Sequence, residues 1–154
     1  MTQRIKIGLT MNNSNTVSAE LGLRLVAPQQ ATVTLDASFL YSREDPYAVR
    51  IVFRAELEEP VEWTLARDLL STGLERHEGP GDVTVWPSAA SEDGAPGSVL
   101  HIALSSPFGQ AHFEAPAAEI SEFLRRTYEI VAAGEEAEHM DVEAGLNDLL
   151  RQAS

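Results

Sequence analysis

Residues 59–74, EPVEWTLARDLLSTGL, hold the change of period on which the fold turns. Val61, Trp63 and Leu65 alternate with Glu62 and Thr64, the period of a strand with one buried face. From Ala66 the apolar positions become Ala66, Leu69, Leu70, Gly73 and Leu74, three and four apart, which is the period of a helix. A strand therefore runs directly into a short helix, with Arg67 and Asp68 in its first turn.

On the N-terminal side the period of two recurs three times. Val17, Ala19, Leu21, Leu23 and Leu25 form one alternating set, Val33, Leu35, Ala37 and Phe39 a second, and Val49, Ile51, Phe53, Ala55 and Leu57 a third. Short connections between such strands predict an antiparallel meander. On the C-terminal side Val83 and Val85 begin a strand that stops at Pro87, and residues 88–98, SAASEDGAPGS, have the composition of a loop. Strands over Val99–Ser105 and Phe108–Glu114 flank SSPFG, where Pro107 and Gly109 suit a tight hairpin turn with glycine at positive φ. Pro116 fits a first helical position, ahead of the stripe Ile120, Phe123, Leu124, Tyr128 and Val131. Gly134 ends that helix, and Asp141 can cap a last one carrying Val142, Leu146, Leu149 and Leu150. The expected fold is α+β, with about seven mostly antiparallel strands and three helices in one domain over 15–154. A flexible arm is expected over 1–14.

A chain of 154 residues matches one domain and buries roughly 70% of its unfolded surface on folding. Cysteine is absent, which excludes disulfides, thiolate metal sites and thiol nucleophiles. No apolar run approaches the ~20 residues of a membrane span, and the N-terminus lacks the apolar stretch of a signal peptide. A soluble cytoplasmic protein without an integral membrane segment is expected. The formal charge of −13 is unevenly spread: 11 acidic and 8 basic residues in 1–80, against 13 and 3 in 81–154. Seven carboxylates and no Lys or Arg lie between Glu129 and Asp148, a solvated face that repels polyanions.

Few residues are arranged for chemistry. Asp68 suits the positive end of a helix dipole, and Arg67 is expected to pair with a nearby carboxylate such as Glu62. A hairpin turning at Ser106–Gly109 sets His101 opposite Glu114 and His112 opposite Ala103, so the two imidazoles and the carboxylate share one face. A metal could use that trio, but a cross-strand His–Glu pair on a solvated face needs none. The chain has no nucleophile elbow, no phosphate-cradling glycine loop and no dinucleotide fingerprint. No catalytic, cofactor or metal residue is assigned. Trp63 points inward with Val61 and Leu65, whereas Trp86 has the parity opposite to Val83 and Val85 and faces outward, either covered by the helix over 116–131 or at an interface.

Five segments in order, DPYAV (45–49), VEWTLARDLLSTGL (61–74), GDVTVWPS (81–88), IALSSP (102–107) and FLRRT (123–127), resemble the SsgA-like proteins of sporulating actinomycetes. The likeness runs from near Thr16 almost to the C-terminus. It implies a non-enzymatic role in sporulation-specific cell division, at the septum, helping to position the tubulin-like ring protein FtsZ with an SsgA-type protein as a further partner. It also implies a Whirly-like fold and a homotrimer. Whirly-like relatives bind single-stranded nucleic acid, so a binding module stacking bases on Trp63 or Trp86 is the alternative; the acidic charge opposes it. Asp45, Pro46, Tyr47, Trp63, Arg67, Asp68 and Trp86 are then expected to be fold or protein-interaction residues. In DPYAV, Asp45 and Pro46 would begin a turn, Tyr47 anchor it and Val49 open a strand.

Overall fold

The computed structural model describes residues 9–12, 15–26, 32–54, 61–79, 81–88, 98–107 and 109–139. In chain order the elements are β1 (Leu9–Asn12), β2 (Thr16–Val26), β3 (Thr32–Ser42), β4 (Asp45–Phe53), β5 (Val61–Ala66), α1 (Arg67–Gly73), β6 (Val83–Pro87), β7 (Val99–Ser106), β8 (Gly109–Pro116) and α2 (Ala117–Ile130), followed by one 3-10 turn at Glu136–His139. The strands form one sheet of order β5-β4-β3-β2-β8-β7-β6, with β1 on β2. All of these pairings are antiparallel.

The alternation in each strand decides which side of the sheet is covered. Register sets Leu21 beside Ala37, Phe39 beside Ile51, and Ile102 beside both Val85 and Phe113, so the alternating core residues of these strands fall on one face. Helix α2 buries Ile120, Phe123 and Leu124 against that face, and Phe123 meets Phe39 edge-on at 5.8 Å between ring centroids. Helix α1 contributes Leu70 and approaches β6 closely, because a Cβ on Gly73 would lie 2.5 Å from Val85 Cγ1. Two meanders, β2 to β5 and β6 to β8, are joined by a short seam in which Arg24 faces Glu114 and Leu25 faces Phe113. The sheet curls about this seam. Phe53 of β4 consequently stacks on Phe113 of β8 at 4.6 Å, although β3 and β2 separate their strands.

The second hairpin matches its sequence signals: Ser106 pairs with Gly109, whose φ is +143°. Elsewhere the chain departs from expectation. The segment 1–14 includes a strand, since Leu9–Asn12 pairs with Val17–Glu20. Pro116 closes β8 and precedes α2 instead of starting it. Among the described residues there are two α-helices; the helix expected over 142–150, like the loop over 89–97, lies outside them.

The DPYAV segment is also built differently. Arg43 and Glu44 make the turn, Ser42 pairs with Asp45, and β4 already starts at Asp45. Tyr47 is 46% exposed and anchors nothing in the core. The anchor is Tyr41 of β3, buried and donating from its hydroxyl to the carbonyl of Pro46 at 3.0 Å. A phenol with one apolar body and one donor suits a buried strand end facing an orphan carbonyl.

Candidate functional site

Arg67, at the strand-to-helix corner, is one of the largest fully buried side chains, 1% exposed. Burying a guanidinium is costly unless its donors and charge are met. Its Nη1 donates to the carbonyls of Thr127 at 3.2 Å and Val131 at 2.8 Å, at the C-terminal end of α2. Its Nη2 donates to Glu136 Oε2 at 2.9 Å. The guanidinium carbon also lies 4.1 Å from the Tyr128 ring centroid and 4.9 Å from that of Tyr41. Arg43 adds a donor to the carbonyl of Ile130 at 3.4 Å. The two arginines therefore satisfy the Ile130 and Val131 carbonyls, which the helix C-terminus leaves open, while the Thr127 carbonyl also accepts the Val131 N–H at 3.0 Å. A cation there also complements the helix dipole.

The expected pairing of Arg67 with Glu62 does not occur. Glu62 points to the opposite, exposed face of β5 and pairs with Arg50 at 3.5 Å. Period-two geometry explains this: Arg67 follows the end of β5 and leaves the sheet with the helix, whereas Glu62 stays on the strand's outer face. Glu136 was missed because it lies in the acidic run read as a solvated face. Its carboxyl is held below the usual carboxylate range, first by its own backbone N–H and then by the Arg67 guanidinium. Burial pushes the Tyr41 phenol up to about 12, against the lowering effect of Arg67. Asp68 is exposed in the first turn of α1, and Pro46 is buried beside exposed Asp45.

Trp63 lies on the covered side of β5, beside Ile51, and remains half-buried. It lines an apolar cleft of about 470 Å³ with Leu25, Leu35, Phe53, Leu104 and Phe113. Trp86 faces the other way, as its parity requires. Helix α2 does not cover it; α2 is packed on the opposite face. The His101 ring lies parallel to Trp86 at 5.1 Å, His77 stacks at 5.7 Å and His112 is tilted at 5.3 Å.

The register of β7 and β8 is the one the hairpin predicts, with His101 opposite Glu114 and His112 opposite Ala103. His101 Nδ1 and His112 Nε2 are 2.9 Å apart, so one donates to the other. Glu114 is 3.9 Å from His101 Nδ1 through one oxygen and is held by Arg24 at 3.1 Å through the other. Among the described residues no group of three or more His, Asp or Glu is arranged to hold a metal ion, and the metal use of this trio has no support from its geometry. No helix among the described residues is long and apolar enough to cross a membrane.

A single curled antiparallel sheet, packed on two helices and tied to the C-terminal end of α2 by a buried arginine, defines the class: an α+β protein with one sheet layer and one helical layer. Residues 35–136 match the family described as Streptomyces sporulation and cell division protein, SsgA, and the chain belongs to that family. Its relatives include the sporulation-specific cell division protein SsgB of Thermobifida fusca, 49% identical over 91% of this chain and 99% of that protein. SsgB of Streptomyces coelicolor is 45% identical over 91% and 99%. Among solved structures, the SsgA-like sporulation-specific cell division protein of Thermobifida fusca superposes with a TM-score of 0.75 at 46% identity, covering 90% of this chain and 98% of that one. A structure of SsgB, from work linking its mutations to longitudinal cell division during sporulation of Streptomyces coelicolor, gives 0.74 at 47% identity over 84% and 100%.

Proposed function

We propose that this chain is a non-enzymatic regulator of sporulation-specific cell division that acts at the septum by helping to position FtsZ rings, together with an SsgA-type partner. The observation that carries this reading is the end-to-end similarity to SsgB proteins, which the chain spans to 99% of their length at 45% and 49% identity. Two structural features favour an adaptor over an enzyme. The buried polar side chains Arg67 and Glu136 are consumed in holding α2 to the sheet. The half-buried Trp63 lies in an open apolar cleft of the kind that takes a partner's side chains. The reading includes a Whirly-like fold and a trimer, in which repeated copies of one weak contact would add up along a polymeric partner. With a formal charge of −13, nucleic acid is not the proposed partner.

The test is co-sedimentation of the purified protein with FtsZ polymers at micromolar concentration, with light scattering to read bundling and the mass of the free protein. Binding that saturates, with a changed bundling signal, is expected. Absence of both binding and bundling overturns the reading.

A further inference from the structure

We propose that the His101–His112 pair is a proton-operated switch on the outer face of the sheet, which holds Trp86 stacked while the pair shares a proton and releases it when both imidazoles become charged. The proposal is independent of the role in cell division.

The argument starts from donor counting. A 2.9 Å separation between His101 Nδ1 and His112 Nε2 is a hydrogen bond, which needs one nitrogen with a proton and one with a free lone pair. The pair can be neutral, or it can carry one proton more and become an imidazolium bonded to an imidazole, a stronger, charge-assisted contact. It cannot accept a second extra proton and keep the bond. Two N–H groups would then face each other, each on a cation.

The surroundings decide how costly that second proton is. From β8, the Glu114 carboxylate 3.9 Å from His101 Nδ1 favours a positive charge, but its other oxygen is engaged by Arg24 of β2. From β6, Trp86 covers the His101 ring at 5.1 Å and an interplanar angle of 10°, and leaves it only partly open to water. His77 stacks on Trp86, and Asp82 borders the same shallow concavity as His112. Desolvation first, and then the charge of His112, hold the His101 imidazole below its ordinary value. Opening therefore occurs on the acid side of the usual histidine range.

The coupling to Trp86 is geometric. Its ring lies against both members of the pair, 5.1 Å from His101 and 5.3 Å from His112. These three side chains sit on three adjacent strands, with Trp86 opposite His101 and His101 opposite Glu114. When the imidazoles separate, Trp86 loses its joint contact with two of the three imidazoles it lies against and keeps His77.

The experiment is imidazole NMR on the full chain between about pH 4.5 and 8, paired with Trp86 fluorescence in a Trp63→Phe background. Expected are two coupled steps for His101 and His112, with the Trp86 signal changing in the second, more acidic one. In His112→Gln one titrating ring of the pair remains, so the two steps become one, and its midpoint lies above the parent's acidic step by about half a pH unit or more. In His77→Gln the acidic step persists. The proposal is overturned if His101 and His112 each titrate in a single uncoupled step, if the Trp86 curve is the same in His112→Gln as in its parent, or if His77→Gln abolishes it. His101→Gln supplies the reciprocal variant should His112→Gln fail to fold, with the same collapse to one step expected.

Discussion

Arg67, the first residue of α1, donates a 2.9 Å hydrogen bond to Glu136, which lies 69 residues further along the chain in the turn after α2. Both side chains are nearly sealed from solvent, 1% and 7% exposed. The pair closes the space between the end of β5 and the end of α2, and two tyrosine rings flank the guanidinium.

Arg67→Met leaves Glu136 buried without its cation and the carbonyl of Val131 without the guanidinium donor, while the Thr127 carbonyl keeps only the Val131 N–H. A loss of about 3–5 kcal/mol in urea unfolding is expected. Arg67→Lys recovers little of it, because an ammonium cannot reach three acceptors while lying flat between two rings. Restoration of wild-type stability by lysine would show that charge alone matters here.

Glu136 contributes to the acid limb of stability. Its carboxyl titrates below its unfolded value of 4.5, so the protein gains stability from it above that pH and loses it as the pH falls through the lower, folded value. Melting temperatures recorded from neutral pH downwards should therefore fall less steeply below about 4.5 in Glu136→Gln than in the parent. Parallel curves would remove this assignment.

Gly73→Ala improves helix propensity by about 1 kcal/mol but drives a Cβ to 2.5 Å from Val85 Cγ1. The clash wins, because both atoms belong to packed elements with no flexible end to give way. A net loss of about 1–3 kcal/mol is expected, reduced when Val85→Ala is added to Gly73→Ala beyond what the single changes sum to. Simple additivity in that double-mutant cycle would contradict the contact.

Tyr41 and Tyr47 should behave oppositely to what the segment 45–49 suggests. Tyr41→Phe removes the bond to the Pro46 carbonyl and costs about 1 kcal/mol or more, since the orphan acceptor is buried. Tyr47→Ala changes stability by less than about 0.5 kcal/mol, as its side chain is largely in water. Chemical denaturation of the two variants separates the cases, and a larger loss at Tyr47 would reverse them.

Much of the architecture was legible from local rules. Period-two patterning located the strands, the hairpin at 106–109 had its register readable from Pro107 and Gly109, and that register put His101 across from Glu114. The outward parity of Trp86 was also readable, but not the three imidazoles that surround it, because His77 arrives from the segment after α1. The resemblance carried by five short segments agreed with the family match. Arg67 was misassigned for a definite reason: a charged residue in the first turn of a helix is ordinarily exposed, and nothing near it announces burial.

What the amino-acid order determined by itself is therefore everything that depends on neighbours within a few residues: strand faces, hairpin turns, the start of α1, and the family. Tertiary structure alone decided the seam between β2 and β8, the stacking of Phe53 on Phe113 and the partnership of Arg67 with Glu136. Those contacts join residues far apart in the chain, and they form only once burial has curled the sheet, because curvature and desolvation belong to the packed whole and leave no mark in local periodicity.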